Sequence, residues 1–253
     1  MTVKISVCMA TCNGSRYLRE QLESILPQLG PEDELIVSDD SSRDATLAIL
    51  ADYGDARLRV LPGNSYFNPV RNFENALHHA RGEILVLSDQ DDRWRPGRLE
   101  LVRQHLAAKV DEVALIMMDG ELVDSEGTSL GMTIFQRNRA GAGIMKNIYD
   151  NTYTGCCLAF TRPLLEIALP FPEKIAMHDM WLGILAEIFG RVEFLPIPTI
   201  DYRRHGANVS QRSSDPIVQV QRRFRLVWSL IGRYGKIKGQ RWSDARSARG
   251  RKR

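Results

Sequence analysis

In Leu85-Val86-Leu87-Ser88-Asp89-Gln90-Asp91-Asp92-Arg93-Trp94 an apolar run with the pattern of a buried strand stops at three carboxylates, and helical residues resume only after Pro96. Three acids at one strand end repel one another, so a folded chain keeps them ionised only beside a cation or several hydrogen-bond donors. A divalent metal carrying a diphosphate meets that need. Mg²⁺ and Mn²⁺ prefer hard oxygen ligands, and Mg²⁺ usually takes one or two protein carboxylates and completes its octahedron with water and phosphate. Taken alone, the same residues also read as an acidic, solvated turn.

Working outward, the rhythm of strand, polar turn and helix repeats. Residues 4–10 form a β-branched-rich strand that ends at Thr11-Cys12-Asn13-Gly14, and Leu18, Leu22, Ile25 and Leu26 then mark one face of a helix closed by Pro27 and Gly30. Residues 34–38 give a second strand, and Asp39-Asp40-Ser41-Ser42-Arg43-Asp44 opens a helix over 45–53. A third strand at 58–61, a helix over 70–81 and the acid-bearing strand at 83–88 complete the series. This alternation predicts an α/β fold with a mostly parallel central sheet flanked by helices. Ligands of such sheets lie outside the carboxyl ends of the strands, where the Thr11 turn, the Asp39-Asp40 pair and the acids from Asp89 to Asp92 all fall.

Beyond a helix over 96–108 and a strand at 113–118 the pattern loosens. Gly127, Gly131, Gly141 and Gly143, with Arg137, Arg139 and Lys146 among them, mark loops suited to face a substrate. A strand at 156–161 and a short helix at 162–168 follow. His178-Asp179-Met180-Trp181 leads into an apolar helix over 182–189, and short strands are expected at 192–195 and 199–203.

The chain has 253 residues, 34 basic against 31 acidic, but its charge is unevenly spread. From Val220 to Arg253 there are 12 basic residues and one acid, Asp244, leaving 22 basic and 30 acidic residues before them. Ile217, Val220, Phe224, Val227, Trp228, Leu230, Ile231 and Tyr234 fall on one side of a helical wheel, with Arg222, Arg225, Arg233 and Lys236 largely opposite. A basic amphipathic helix with Trp and Tyr, followed by a basic tail, suits an anionic membrane surface; a helix packed on the body or a nucleic-acid-binding tail are its rivals. No stretch approaches the ~18 to 20 apolar residues that span a bilayer, and residues 1–5 enter a strand pattern with no signal-peptide layout. Cys8, Cys12, Cys156 and Cys157 lack metal-ligand spacing and read as thiols of a reducing cytosol.

The stretches beginning at Ile5, Ile36 and Leu87 resemble, in order and spacing, the successive motifs of glycosyltransferase family 2, over about residues 4–208. The resemblance implies the GT-A nucleotide-diphosphosugar transferase fold and an inverting, metal-dependent glycosyltransferase. Carried over by position, it implies that Thr11, Asn13, Asp39 and Asp40 hold the nucleoside and that Arg71 lies near the base or diphosphate. Asp89 would face ribose or sugar, Asp91 the metal, and Asp92 the acceptor side or the groups behind the metal. Asp179 would be the general base, with a helix N-cap as its alternative role. In the late loop Tyr202-Arg203-Arg204-His205-Gly206-Ala207-Asn208, Arg204 would clamp the diphosphate and His205 would contact metal or phosphate.

The expected cofactor is Mg²⁺ or Mn²⁺, and the expected partners are a UDP- or dTDP-sugar, a saccharide or polyprenyl-diphosphate-linked acceptor, and an anionic membrane surface, on the cytoplasmic side. The Asp-Gln-Asp-Asp, His-Asp-x-Trp and Tyr-x-x-His-x-x-Asn forms look most like the branch with bacterial rhamnosyltransferases and other surface-polysaccharide enzymes. The expected division is a catalytic domain over 1–212, split near residue 110 into nucleotide-binding and acceptor-binding halves, then helix and tail over 213–253. Two rivals are a sugar-1-phosphate nucleotidyltransferase, whose Gly-rich basic triphosphate loop is missing at Thr11-Cys12-Asn13-Gly14, and a non-catalytic sugar-nucleotide or nucleic-acid binder, which has no need of Asp179.

Overall fold

The computed structural model describes residues 3–173, 175–205 and 216–250, with side chains of the last helix described for residues 218–239. Its first half follows the expected alternation. Strands β1 (Ile5–Thr11), β2 (Glu34–Asp39), β3 (Leu58–Leu61) and β4 (Ile84–Ser88) lie side by side in the order β3-β2-β1-β4, all parallel. Most residues of β1, β2 and β4 are buried, which is why these strands read as near-continuous apolar runs. Helix α1 (Leu18–Ile25) lays Leu18, Leu22 and Ile25 into the core at a 3.6-residue spacing. Between them are α2 (Thr46–Asp52) and α3 (Pro69–His79); α3 starts sharply because Asn68 accepts the N–H groups of Val70 and Arg71 and Pro69 needs no donor partner.

The second half extends the same sheet. After the two-residue β5 (Arg93–Trp94) and α4 (Arg98–Leu106) come β6 (Ala114–Val123), β7 (Ser129–Thr133), α5 (Ile134–Asn138), α6 (Ile144–Tyr149), β8 (Leu158–Thr161), α7 (Arg162–Ala168), α8 (His178–Phe189), β9 (Arg191–Arg203) and α9 (Pro216–Gly250). The strand order continues as β4-β8-β6-β9-β5, with β7 beside β6. β8 runs antiparallel to β4 and β6, whereas β6 and β9 are parallel to each other and point the same way as β1 to β4. The sheet is thus mixed but mostly parallel, as expected for the fold class.

Three local readings are corrected. The two short strands expected at 192–195 and 199–203 are one strand, β9; Pro196 and Pro198 mark a bulge at which Met118 and Asp119 of β6 pair with Leu195 and Pro198 in turn. Gly155–Cys157 forms a 3-10 turn, so β8 begins at Leu158 rather than at residue 156. The last helix continues to Gly250, and its apolar side is only partly covered by the body: Leu226 and Leu230 are buried, whereas Val220, Phe224, Val227, Trp228, Ile231 and Tyr234 are exposed. Ile217 and the basic side chains of the tail from Arg241 to Arg253 lie outside the described side chains.

At the centre of the sheet Phe160 of β8 is fully buried between Leu85 of β4 and Leu115 of β6. Phe160→Ala should destabilise the fold by about 3–5 kcal/mol, read as a lower urea midpoint with an unchanged slope; a loss under about 1 kcal/mol would mean that the site collapses freely.

Candidate functional site

The parallel register brings the candidate residues to one edge. Thr11 pairs with Asp39, and Met9 with Ser88, so β1, β2 and β4 end together and release their turns on the same side. In the first turn Asn13 has a left-handed backbone (φ 51°), a conformation its short amide tolerates. Its N–H donates to Ser42 Oγ at 2.8 Å and its Oδ1 accepts the N–H of Arg43 at 2.8 Å, tying the turn to the one after β2. Asp39 accepts Thr11 Oγ1 at 3.1 Å and the Ser42 N–H at 3.0 Å. Asp40 accepts the N–H groups of Tyr66 and Asn68 at 2.6 and 3.1 Å, which fixes the loop leading into α3. Both carboxylates are therefore built into the turns they shape.

The acidic turn after β4 is pinned by two glutamines. Gln21, fully buried on α1, donates to Ser88 Oγ at 2.9 Å and to the carbonyl of Asp89 at 2.8 Å. Gln90 accepts the N–H of Cys12 at 2.9 Å and donates to its carbonyl at 3.1 Å, like a strand partner. A side chain on Gly14 would put its Cβ 2.3 Å from Gln90 Oε1, so any larger residue there would displace the Gln90 amide from Cys12.

Among the acids, Asp92 is 1% exposed and its Oδ2 has no hydrogen-bond partner, while its Oδ1 accepts the N–H of Arg203 at 3.1 Å. Burial first, then the charges of Asp91 and Asp89, push the Asp92 carboxyl well above the usual range. Asp89 is pushed up to about 7 by burial and the charge of Asp91, with Asp179 adding to it. Asp91 Oδ2 lies 2.7 Å from His205 Nε2, and the His205 ring stacks on Tyr17 with centroids 5.3 Å apart. A buried arginine holds this corner: Arg203 donates to the carbonyls of Asp91 and Ser125 at 3.0 Å each and to Glu20 Oε2 at 2.7 Å, and lies 4.6 Å over the Tyr17 ring.

This donor set fits a hard divalent cation. Asp91 offers a carboxylate oxygen and His205 an imidazole, and the buried Asp92 Oδ2 has no hydrogen-bond partner. Asp89, Asp92 and Cys156 also place one donor atom each within 4.8 Å of one another. The Cys156 thiol, however, is held protonated by its contact with Cys157 and by burial, and a thiol is a poor ligand for Mg²⁺ or Mn²⁺.

Asp179 sits in the first turn of α8, 6% exposed, two residues after Met177, which has extended backbone and holds the N-cap position. Its Oδ1 accepts the N–H of Met180 at 2.6 Å and the amide of Asn151 at 3.3 Å. Burial outweighs these bonds and pushes its carboxyl up to about 6. Beside it His178 packs on Phe73 at 4.3 Å, with neither ring nitrogen partnered, and burial lowers it to about 4, so its ring is neutral.

Two candidates are placed differently from the rest. The guanidinium of Arg71 binds Glu74 and the carbonyl of Phe171 at 3.2 Å, with no hydrogen bond to any acid from Asp89 to Asp92. Arg204 is exposed and anchored through its N–H to the carbonyl of Val123 at 2.8 Å. Gly206, Ala207 and Asn208 of the late loop lie outside the described residues. Gln21 was not singled out from the sequence, and Arg203 and His178 were quoted only within their motifs, with no role of their own. For Arg203 the signal was there: adjacent residues of a strand face opposite ways, so Arg203 and Arg204 cannot both face the site.

A protein-family model, glycosyl transferase family 2, matches residues 6–167. The chain is 31% identical over 185 residues to the Escherichia coli protein WfgD, a UDP-Glc:α-D-GlcNAc-diphosphoundecaprenol β-1,3-glucosyltransferase, covering 72% of this chain and 70% of that one. It is 23% identical over 215 residues to the glycosyltransferase alr2836 of Nostoc sp., covering 81% of this chain and 66% of that protein. The crystal structure of S. aureus TarS 1-349 in complex with UDP-GlcNAc superposes with a TM-score of 0.66 at 22% identity, over 83% of this chain and 62% of that one. The chain therefore spans about two thirds of the length of such relatives.

A ligand that binds only the folded state raises the unfolding midpoint. Mn²⁺ with UDP at about 100 times the dissociation constant should add about 2.7 kcal/mol, a rise of roughly 5–10 °C for a chain of this size. Asp91→Asn should abolish the Mn²⁺-dependent part in a thermal-shift titration; an unchanged shift would remove Asp91 from the metal site.

Proposed function

Because the chain belongs to glycosyltransferase family 2, we propose that it transfers a sugar, with inversion, from a UDP- or dTDP-sugar to a hydroxyl of a saccharide or polyprenyl-diphosphate-linked saccharide. The setting is bacterial surface polysaccharide biosynthesis. Rhamnose is the donor sugar suggested by the motif forms at residues 89–92 and 178–181. The observation that carries the reading is the convergence of two unlike carboxylate environments at one place: the Asp89–Asp92 cluster and, near enough to raise Asp89, the separately buried Asp179.

In this reading the roles divide by environment. Asp91 and His205 hold the divalent cation, Mg²⁺ or Mn²⁺, and Asp89 faces the ribose or the sugar. When bound, that ion neutralises the diphosphate, which an acidic body could not otherwise accept, and offsets the charge that grows on it as it departs. Thr11, Asn13, Asp39 and Asp40 shape the nucleoside end. Arg203 and Gln21 keep the acidic turn in place. Asp179, oriented by Asn151, takes the proton of the attacking hydroxyl, and a carboxyl near 6 is suited to that work at neutral pH. Neutral His178 adds no competing charge beside it.

WfgD is named for an acceptor carried on diphosphoundecaprenol, and among the described residues no helix is long and apolar enough to cross a membrane. A lipid-borne acceptor met at the inner face of the plasma membrane, by a chain lodged there peripherally, reconciles the two.

The base must be ionised to act, so kcat/KM should rise about tenfold per pH unit below pH 6 and level off above it. Asp179→Asn should lower kcat by about 10²–10⁴-fold while leaving UDP affinity within about twofold. The assay is release of UDP or dTDP from a panel of nucleotide sugars with Mn²⁺, with EDTA as control. Full turnover in Asp179→Asn, or turnover indifferent to EDTA, would contradict the assigned roles.

A further inference from the structure

The last helix has three faces rather than two. At about 100° per residue, Leu226 and Leu230 share an arc buried against the body, and Arg233 beside them donates to the carbonyls of Ile167 and Leu169 at 2.8 and 2.7 Å. Roughly 135° round the helix, Val220, Phe224, Trp228 and Ile231 form a second apolar arc that faces outward, Phe224 and Trp228 being 74% and 78% exposed. Arg222, Arg225 and Lys236 occupy the remaining arc. Docking of the helix on the body therefore accounts for Leu226 and Leu230 but not for the larger side chains.

The outward arc continues onto a second element. Arg223 donates to the carbonyl of Tyr149 at 2.6 Å and lies 4.5 Å over its ring, joining α9 to α6. On α6, Met145 and Tyr149 are 77% and 73% exposed. Single exposed apolar residues need no explanation; six large ones on two touching helices make a patch of the kind that has a partner.

Charge selects the partner. Residues 216–239 contain six basic residues and no acid, and the chain beyond adds six more against Asp244 alone. A second copy of the chain packed on this face would bring two such helices together against their repulsion. An anionic lipid surface attracts the same charge, and Trp, Tyr and Phe suit the boundary between headgroups and acyl chains.

We propose that α6 and α9 together form a ridge that seats on an anionic bilayer, with Phe224 and Trp228 as its principal insertions. Asn151, just past α6, donates to Asp179, so the ridge and the proposed base share one connecting segment. The purpose of the ridge rests on the transferase reading above, but its test does not.

Flotation of the full chain with phosphatidylcholine vesicles, with and without about one third phosphatidylglycerol at about 0.1 M salt, reads the contact directly. The chain should float with the anionic vesicles and not with the neutral ones. Phe224→Ser with Trp228→Ser should weaken that binding at least tenfold while leaving Mn²⁺-dependent UDP binding unchanged. Failure to float, or equal binding by the double variant, would overturn the proposal. So would a dimer in light scattering that the same substitutions dissociate, which would assign the face to a second copy. Loss of UDP binding by the unsubstituted chain would instead sink the transferase reading and leave the ridge standing.

Discussion

Three carboxylates at the end of one strand are the constraint around which the rest of the site is arranged. Asp89, Asp91 and Asp92 leave β4 together, and Asp92 Oδ2 is buried with no hydrogen-bond partner among the described residues. The surroundings meet the repulsion from three sides. Arg203 brings a guanidinium and a backbone N–H, His205 reaches Asp91, and the buried Arg98 lies behind with Nη2 on the carbonyl of Cys156 at 2.6 Å, its positive charge acting on Asp92. These groups come from β9, the segment after it, and α4. The acidic turn thereby ties the late part of the sheet to the early part, and a divalent ion is the proposed completion of that charge balance.

The first half of this arrangement was legible in the sequence because its signals are local. Apolar runs ending in polar turns mark β1, β2 and β4, and the period of Leu18, Leu22 and Ile25 marks the helix between two of them. Once those strands are parallel neighbours, the turns at Thr11, Asp39 and Asp89 must meet. The second half was less legible for a physical reason. Pro196 and Pro198 look like a strand break, and only the shifted register against β6 shows that β9 runs through them. Gln21 was hidden because it sits within an apolar pattern and has its contacts, Ser88 and Asp89, far away in sequence. Asp179 stood out by its setting before an apolar helix, yet its raised carboxyl depends on burial that no spacing reveals.

The acceptor side and the last helix share one structural logic. The loops after β6 are irregular, but Glu187 of α8 fastens them: it accepts the hydroxyl of Tyr153 at 2.6 Å and the N–H of Gly143 at 2.9 Å. That clamp sets both α6, which lies between those two residues, and Asn151, which touches Asp179.

The central claim is that a hard cation joins the acidic turn to the donor diphosphate. An anomalous difference map at the manganese edge, from crystals soaked with Mn²⁺ and UDP, tests it most directly. One peak at about 2.1 Å from an Asp91 oxygen, bridging to diphosphate oxygens on the Thr11 and Asp39 side of the sheet, is the expected result. UDP bound with no manganese peak, or a peak elsewhere on the acidic body, would contradict it.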